Sequence, residues 1–571
     1  MKSLKAVLII SVLFITSVAL GQNLQTLSPY FHLDVENPDK YSPEDFALQG
    51  TIVKANIAGV IADVTVEQLY VNNTEDVLDA EYVFPGSTQS AVYAMEMQIN
   101  ERVIKAKVKE KQEAKRIFAK AKTEGKSATL MEQERPNVFK MSLANIKPGD
   151  SIRVRFSYTE NIIPKNKEYE FMFPTVVGPR FGTQEHAAKD PWISNPYTNN
   201  EHQANKMLSP KFDLSLSLNA GLPIQKANCY SHPKAGINYT SKGSMVMFLP
   251  NKAYKEKKGD VIFRYQLAGE KIEGGMLLYE HGDENFFMMT MQPPERPEVD
   301  EIPPRDYLFV VDVSGSMNGF PIEISKELMK DLLYHLSPKD RFNVLLFANG
   351  FSKFSTVMVP VSNGQISRAM SFVDNPSGSG GTMILPALKE ALAMIDDNGR
   401  STTVVIATDG LVTVEKQAMD LIQEHLGDAN FFPFGIGSSV NRYLLEALAH
   451  VGHSEPIVAT DRSEARKIAK EFRKMISAPV LTNVKLDFGE MDAYEVIPKS
   501  VPDLFADKPI VVYGKYRGKT NGKVTVTGSN GSGRFEQSMQ VGKTKVSAKN
   551  SGLRYLWARQ NIKLLADYRR F

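Results

Sequence analysis

The sequence predicts a multidomain chain: a β-sandwich-like front part, a doubly wound α/β domain, then a further β-unit and a closing helix. Three observations carry this. Strand-type alternation recurs up to about residue 270, and a proline-rich stretch from Gln292 to Pro304 then interrupts it. Beyond that stretch, continuous apolar runs alternate with helical periodicity, the grammar of a parallel sheet with crossovers. A length of 571 residues allows about three to five domains.

Composition narrows the class. There are 68 Lys+Arg against 65 Asp+Glu, a net charge of +3, with 42% hydrophobic and 23% charged residues. These figures exclude disorder, collagen and a multi-span membrane protein. Nothing in so even a balance points to nucleic acid as a partner. The lone Cys229 excludes an internal disulfide framework and a cysteine-based zinc ribbon.

Residues 1–21 read as a signal peptide. Lys2 and Lys5 precede an apolar run from Ala6 to Leu20, and Ala19-Leu20-Gly21 offers a small-x-small cleavage pattern before Gln22. The run is short for a membrane span of about 20 residues. No cysteine stands at the cut, which excludes a lipoprotein anchor. The expectation is export to the periplasm, the cell surface or the medium, with no membrane span after signal removal.

Residues 35–165 form the first β-unit. Val154, Phe156 and Tyr158 alternate with Arg153, Arg155 and Ser157, following a turn at Lys147-Pro148-Gly149-Asp150. Ala114, Ile117, Phe118 and Ala121 fit a short amphipathic helix, whose lysines read as a solvated face diluted by Glu110, Glu113 and Glu124. Residues 166–292 form a second β-unit, in which Phe212, Leu214, Leu216 and Leu218 alternate with polar residues, as do Val261, Phe263, Tyr265 and Leu267. His186 and His202 lie in an intervening polar loop and read as exposed side chains rather than metal ligands. Residues 293–304 are a stiff proline-rich linker.

The first unit resembles the VIT domain of inter-alpha-trypsin inhibitor heavy chains. The matching stretches are Glu110-Lys111-Gln112-Glu113-Ala114 through Ala121, Leu130-Met131-Glu132-Gln133-Glu134-Arg135-Pro136-Asn137-Val138-Phe139, and Asn145-Ile146-Lys147-Pro148-Gly149-Asp150. The resemblance implies a β-rich binding or structural module without catalysis, here in a bacterial exported member.

The α/β domain spans 305–478. Tyr307–Val311 is a continuous apolar run, as a strand buried on both faces requires. Asn343–Phe347, Thr403–Ala407 and Phe431–Ile436 repeat it. Helical patterns fall at 322–335, 384–395, 414–426, 442–449 and 461–477. Asp312-Val313-Ser314-Gly315-Ser316 sets oxygen-bearing side chains at every second position where the first strand ends, the edge at which open α/β sheets bind ligands. Thr382 adds a hydroxyl after Gly380-Gly381, and Asp409 a second carboxylate after another candidate strand. Two carboxylates and three hydroxyls make a hard oxygen set suited to Mg²⁺, with waters or an outside ligand completing six positions.

This pattern resembles the von Willebrand factor A domain, a Rossmann-like fold, and its metal-ion-dependent adhesion site. All five motif positions are filled, by Asp312, Ser314, Ser316, Thr382 and Asp409. The resemblance implies that Ser314, Ser316 and Thr382 touch the metal directly, while Asp312 and Asp409 act largely through water. Mg²⁺ is the expected ion, with Ca²⁺ and Mn²⁺ as alternatives, and the implied partner is a protein presenting Asp or Glu.

No catalytic residues are expected. No histidine lies in the motif segments to activate a serine, no Gly-x-Ser-x-Gly elbow occurs, and Gly514–Thr520 misses a Walker loop because Tyr513 replaces its first glycine. Residues 479–547 read as a C-terminal β-unit and 551–571 as a helix in a chain expected to be truncated. The leading reading is an exported, metal-dependent adhesion protein. A structural envelope scaffold whose metal only stabilises the fold is the alternative, and a hydrolytic enzyme is a distant third.

Overall fold

The computed structural model describes residues 30–33, 46–85, 90–105, 116, 119–120, 123–124, 128–135, 138–165, 167–175, 210–257, 259–267, 271–294, 302–375, 381–396, 399–409, 415–426, 429–437, 440–460, 462–476, 479–506, 508–518 and 520–570. Residues 1–21, expected to be a signal peptide, the expected helix positions Ala114, Ile117, Phe118 and Ala121, the histidines His186 and His202, and residues 295–301 of the expected linker lie outside the described residues.

The front of the molecule is a single β-body. Its eight-stranded sheet runs in the order Gly236–Ser241, Ser244–Leu249, Lys211–Asn219, Phe46–Ala58, Ile61–Asn72, Ser151–Asn161, Ser90–Ile99, Arg102–Lys105. Every second residue of Lys211–Asn219 and of Ser151–Ser157 is buried, as expected for a sheet with one face on a core. Val53, Val64, Phe156 and Leu216 from this sheet share one core with Tyr82 and Met141 of a four-stranded sheet and Phe171 and Phe263 of a three-stranded one.

Two expected boundaries therefore need correction. The division at residue 165 is crossed by the large sheet: Lys211–Asn219 pairs in parallel with Phe46–Ala58, partners 161 residues apart. The unit 166–292 also splits at its end. Strand Glu284–Gln292 pairs with Ile510–Arg517, so the hairpin Glu273–Gln292 belongs with the C-terminal β-unit. Met276, Phe287 and Met289 share that unit's core with Leu481, Val512 and Val526. The α/β domain is thus inserted between the two halves of a β-domain.

The inserted domain consists of β1 (Arg305–Asp312), α1 (Phe320–Tyr334), β2 (Arg341–Phe347), β3 (Phe351–Lys353), α2 (Asn363–Asp374), α3 (Ile384–Ala393), β4 (Ser401–Thr408), α4 (Glu415–Glu424), β5 (Ala429–Ile436), α5 (Arg442–Val451), β6 (Ile457–Ala459) and α6 (Arg462–Ile476). The strand order is β3-β2-β1-β4-β5-β6, parallel except for β3, and a two-residue strand, Val359–Pro360, also pairs antiparallel with β2. Tyr307, Phe309 and Val311 of β1 pack with residues of α1, α2 and α6 on one face. Leu308 and Val310 pack with residues of α3, α4 and α5 on the other. Two covered faces explain why β1 is apolar without alternation.

Helix α2 was missed in sequence. Gly364 sits in its first turn, and only Ile366, Ala369 and Val373 are buried, too sparse a stripe to stand out; Ser362 caps it by accepting from Gln365 N. The closing helix α7 (Gly552–Arg570) bridges the parts. Tyr555 stacks on Tyr93 of the front body, Trp557 Nε1 donates to Glu495 O, and Asp567 pairs with His450 of α5 at 2.6 Å.

Candidate metal centre

The chain leaves β1 in one direction to form β2 and reaches the opposite neighbour, β4, only after α2 and α3. Such a switch point opens a crevice at the carboxyl edge, because the two loops diverge. All five sequence-predicted residues belong to segments at this edge.

Asp312 ends β1 and is fully buried. Its Oδ1 accepts from Ser314 N at 2.9 Å, and its Oδ2 accepts from Thr408 Oγ1 at 2.7 Å. Ser314 is buried and directly precedes a single 3-10 turn, Gly315–Met317. That turn brings Ser316 Oγ, on an exposed residue, to 3.2 Å from Ser314 Oγ. Parallel pairing of Val311 with Ala407 sets Thr408 beside Asp312 and carries the buried Asp409 to the same edge. The Asp409 carbonyl accepts from Asn441 N at 2.9 Å, and Asn441 also caps α5.

Thr382 reaches the edge from a different element. Gly381 N donates to Asn349 Oδ1 at 2.6 Å, and Met383 N donates to Ala348 O at 2.8 Å. Thr382 is thereby pinned on both sides to the segment that follows β2, the neighbour of β1. It is half-buried. The arrangement has a floor of Asp312 and Ser314 and an outward-facing side at Ser316 and Thr382.

The electrostatics fit a cation. Burial is the largest influence on the Asp312 carboxyl and pushes it above the usual carboxylate range. The hydrogen bonds from Ser314 and Thr408 pull it back, and the charge of Asp409 pushes it up again. Among the described residues no Lys, Arg or His forms an ion pair with Asp312. A buried anion beside a second carboxylate needs a positive charge for stability. Among the described residues no three His, Cys, Asp or Glu side chains cluster, so a metal here would depend on the hydroxyls. That donor chemistry favours Mg²⁺, Ca²⁺ or Mn²⁺ over soft ions.

Sequence reasoning singled out the five motif residues and gave no role to Thr408, Asn349 and Asn441, which hydrogen-bond to Asp312, Gly381 and Asp409. Thr408 ends an eight-residue buried strand, Ser401–Thr408, where threonine reads as an ordinary strand former.

Comparison with known proteins agrees with this architecture. The family model for the vault protein inter-alpha-trypsin domain matches residues 48–158, and that for the von Willebrand factor type A domain matches residues 306–454. Inter-alpha-trypsin inhibitor heavy chain H2 of Homo sapiens is 22% identical over 480 residues, covering 81% of this chain and 48% of that protein. Protein mono-ADP-ribosyltransferase PARP4 of Homo sapiens is 22% identical over 474 residues, covering 82% of this chain and 27% of that protein. The chain thus spans about half or less of the length of these curated relatives. Among solved structures, a von Willebrand factor type A protein from Catenulispora acidiphila is 15% identical with a TM-score of 0.38, covering 48% of this chain and 73% of that one.

Proposed function

We propose that this chain, which carries a VIT domain followed by a von Willebrand factor A domain, is an exported, metal-dependent protein-binding molecule. Asp312, Ser314, Ser316, Thr382 and Asp409 would hold one divalent cation, Mg²⁺ in the first instance, with Ca²⁺ and Mn²⁺ as alternatives. The ion supplies a Lewis-acidic position at which a carboxylate can bind. The protein's own contribution is a rigid floor, an outward-facing side and an uncompensated negative charge that holds the ion. The partner is a protein presenting Asp or Glu, and no catalytic step is assigned. The front β-body and the β-domain that brackets the insertion present the site.

The observation that carries this reading is the burial of Asp312 with only hydroxyl and amide donors. Two carboxylates alone would also suit acid–base catalysis, but the hydroxyls around them suit ion coordination better. Export rests on the amino-terminal pattern of residues 1–21; among the described residues no helix is long and apolar enough to cross a membrane.

The test is a pull-down from envelope extract with the full chain, with its Asp312→Ala variant, and with the full chain in EDTA. Metal-mediated capture predicts the same proteins lost in both the variant and the EDTA arm. Retention of the same partners in all three arms would contradict it and favour a scaffold in which the ion serves stability alone.

A further inference from the structure

We propose that Thr408 is a positioning residue for the metal centre: its hydroxyl orients the Asp312 carboxylate so that the ion can be held. The inference rests on the reading above, and its test separates the two.

Asp312 Oδ1 accepts from Ser314 N and Oδ2 accepts from Thr408 Oγ1, and the Ser314 hydroxyl also interacts with this carboxylate. Donors on both oxygens fix the plane of the group. Without the Thr408 bond, the donors left to the Asp312 side chain all come from Ser314, two residues along the same segment. Partners of this kind, which touch a ligand and not the metal, typically change metal affinity by about 10–100-fold.

The strand pairing makes Thr408 a rigid donor. It is fully buried, and it stands next to Ala407, which pairs with Val311 in the parallel ladder. Its hydroxyl is therefore delivered by the sheet rather than by a loop. The residue directly precedes Asp409, so one strand end supplies both an orienting hydroxyl and a second carboxylate.

A control lies on the same strand. Thr403 is also buried, but its Oγ1 has no hydrogen-bond partner. Thr403→Val therefore makes the same chemical change with no donor lost from Asp312.

The experiment measures Mg²⁺ and Mn²⁺ binding by titration calorimetry on the full chain, and melting in EDTA, for wild type, Thr408→Val, Thr408→Ser and Thr403→Val. The expected result is a loss of about 10–100-fold in affinity for Thr408→Val, with Thr408→Ser and Thr403→Val near wild type. Thr408→Ala removes the same donor and carries the comparison if the valine variant does not fold. A purely structural role would lower the melting temperature in EDTA and leave affinity unchanged. Wild type that binds metal while the valine and alanine variants bind equally well overturns this assignment alone. Wild type that binds neither ion overturns the metal centre and the assignment together.

Discussion

The two ends of β1 handle buried carboxylates in opposite ways. At the amino end, Arg341 grips Asp306 with two hydrogen bonds, at 2.9 and 2.5 Å, and Arg305 pairs with Asp340 at 3.3 Å while its own N–H donates to the same carboxylate. Asp503, which ties this base to the C-terminal β-domain through Asn430 and Asn483, also feels the charge of Arg305. At the carboxyl end Asp312 is equally buried, and among the described residues it receives only hydroxyl and amide donors, from Ser314 and Thr408. One strand thus separates an end neutralised by arginine from an end where no Lys, Arg or His among the described residues pairs with the carboxylate, the end at which we propose the cation binds.

Breaking the base should have the largest effect. Arg305→Ala leaves Asp340 buried without its cation and should cost about 3–5 kcal/mol, in EDTA and in Mg²⁺ alike. Chemical denaturation in both buffers checks this; a cost that appears only with Mg²⁺ would contradict the division of labour. The metal end should respond to metal instead. Wild type should gain about 2.7 kcal/mol at a Mg²⁺ concentration 100 times the dissociation constant, and Asp312→Asn should gain almost nothing. In EDTA the same variant should be as stable as wild type or more so, since it removes an uncompensated charge.

A titration sharpens the contrast further. Gly452, beside His453, packs against Phe431 near the start of β5, and Lys508 Nζ donates to the His453 carbonyl. Burial, with smaller contributions from Lys508 and His450, lowers the His453 imidazole from 6.5 to about 4. The unfolded chain then takes up a proton that the folded chain refuses, so this contribution is complete above pH 6.5 and is lost as pH falls toward 4. By pH 4.5 the loss amounts to about 2–3 kcal/mol. His453 has a positive φ of 50°, which asparagine tolerates. Denaturation of His453→Asn across pH 7.5 to 4.5 should therefore show a shallower decline than wild type; parallel curves would contradict the assignment.

The smallest effect should come from Asn441, whose side chain accepts from Leu444 N at the start of α5. Asn441→Ala should cost about 1 kcal/mol. Its backbone bond to Asp409 remains, so Mg²⁺ affinity should change less than in Thr408→Val, a ranking that calorimetry decides.

Legibility in the sequence followed the range of the interactions. The wound domain could be read because its signals are local: β1 is a continuous apolar run, and α6 places Ala465, Ala469, Phe472 and Ile476 on one buried stripe. Alternation in Lys211–Asn219 identified a strand and its buried face, but the partner Phe46–Ala58 is chosen by packing across the fold. The hairpin Glu273–Gln292 failed in the same way, since its partner Ile510–Arg517 lies beyond the inserted domain. At the site, the five oxygen-bearing residues stood out by type and spacing. Thr408 did not, because only the register of β4 against β1 reveals what its hydroxyl touches.

The central claim is that the carboxyl end of β1 holds one cation. A crystal of the full chain grown with Mn²⁺ and examined by anomalous scattering tests it directly. The account predicts a single strong peak enclosed by Asp312, Ser314, Ser316, Thr382 and Asp409. No peak there at saturating metal, or a lysine or arginine side chain seated against Asp312 in its place, would contradict it.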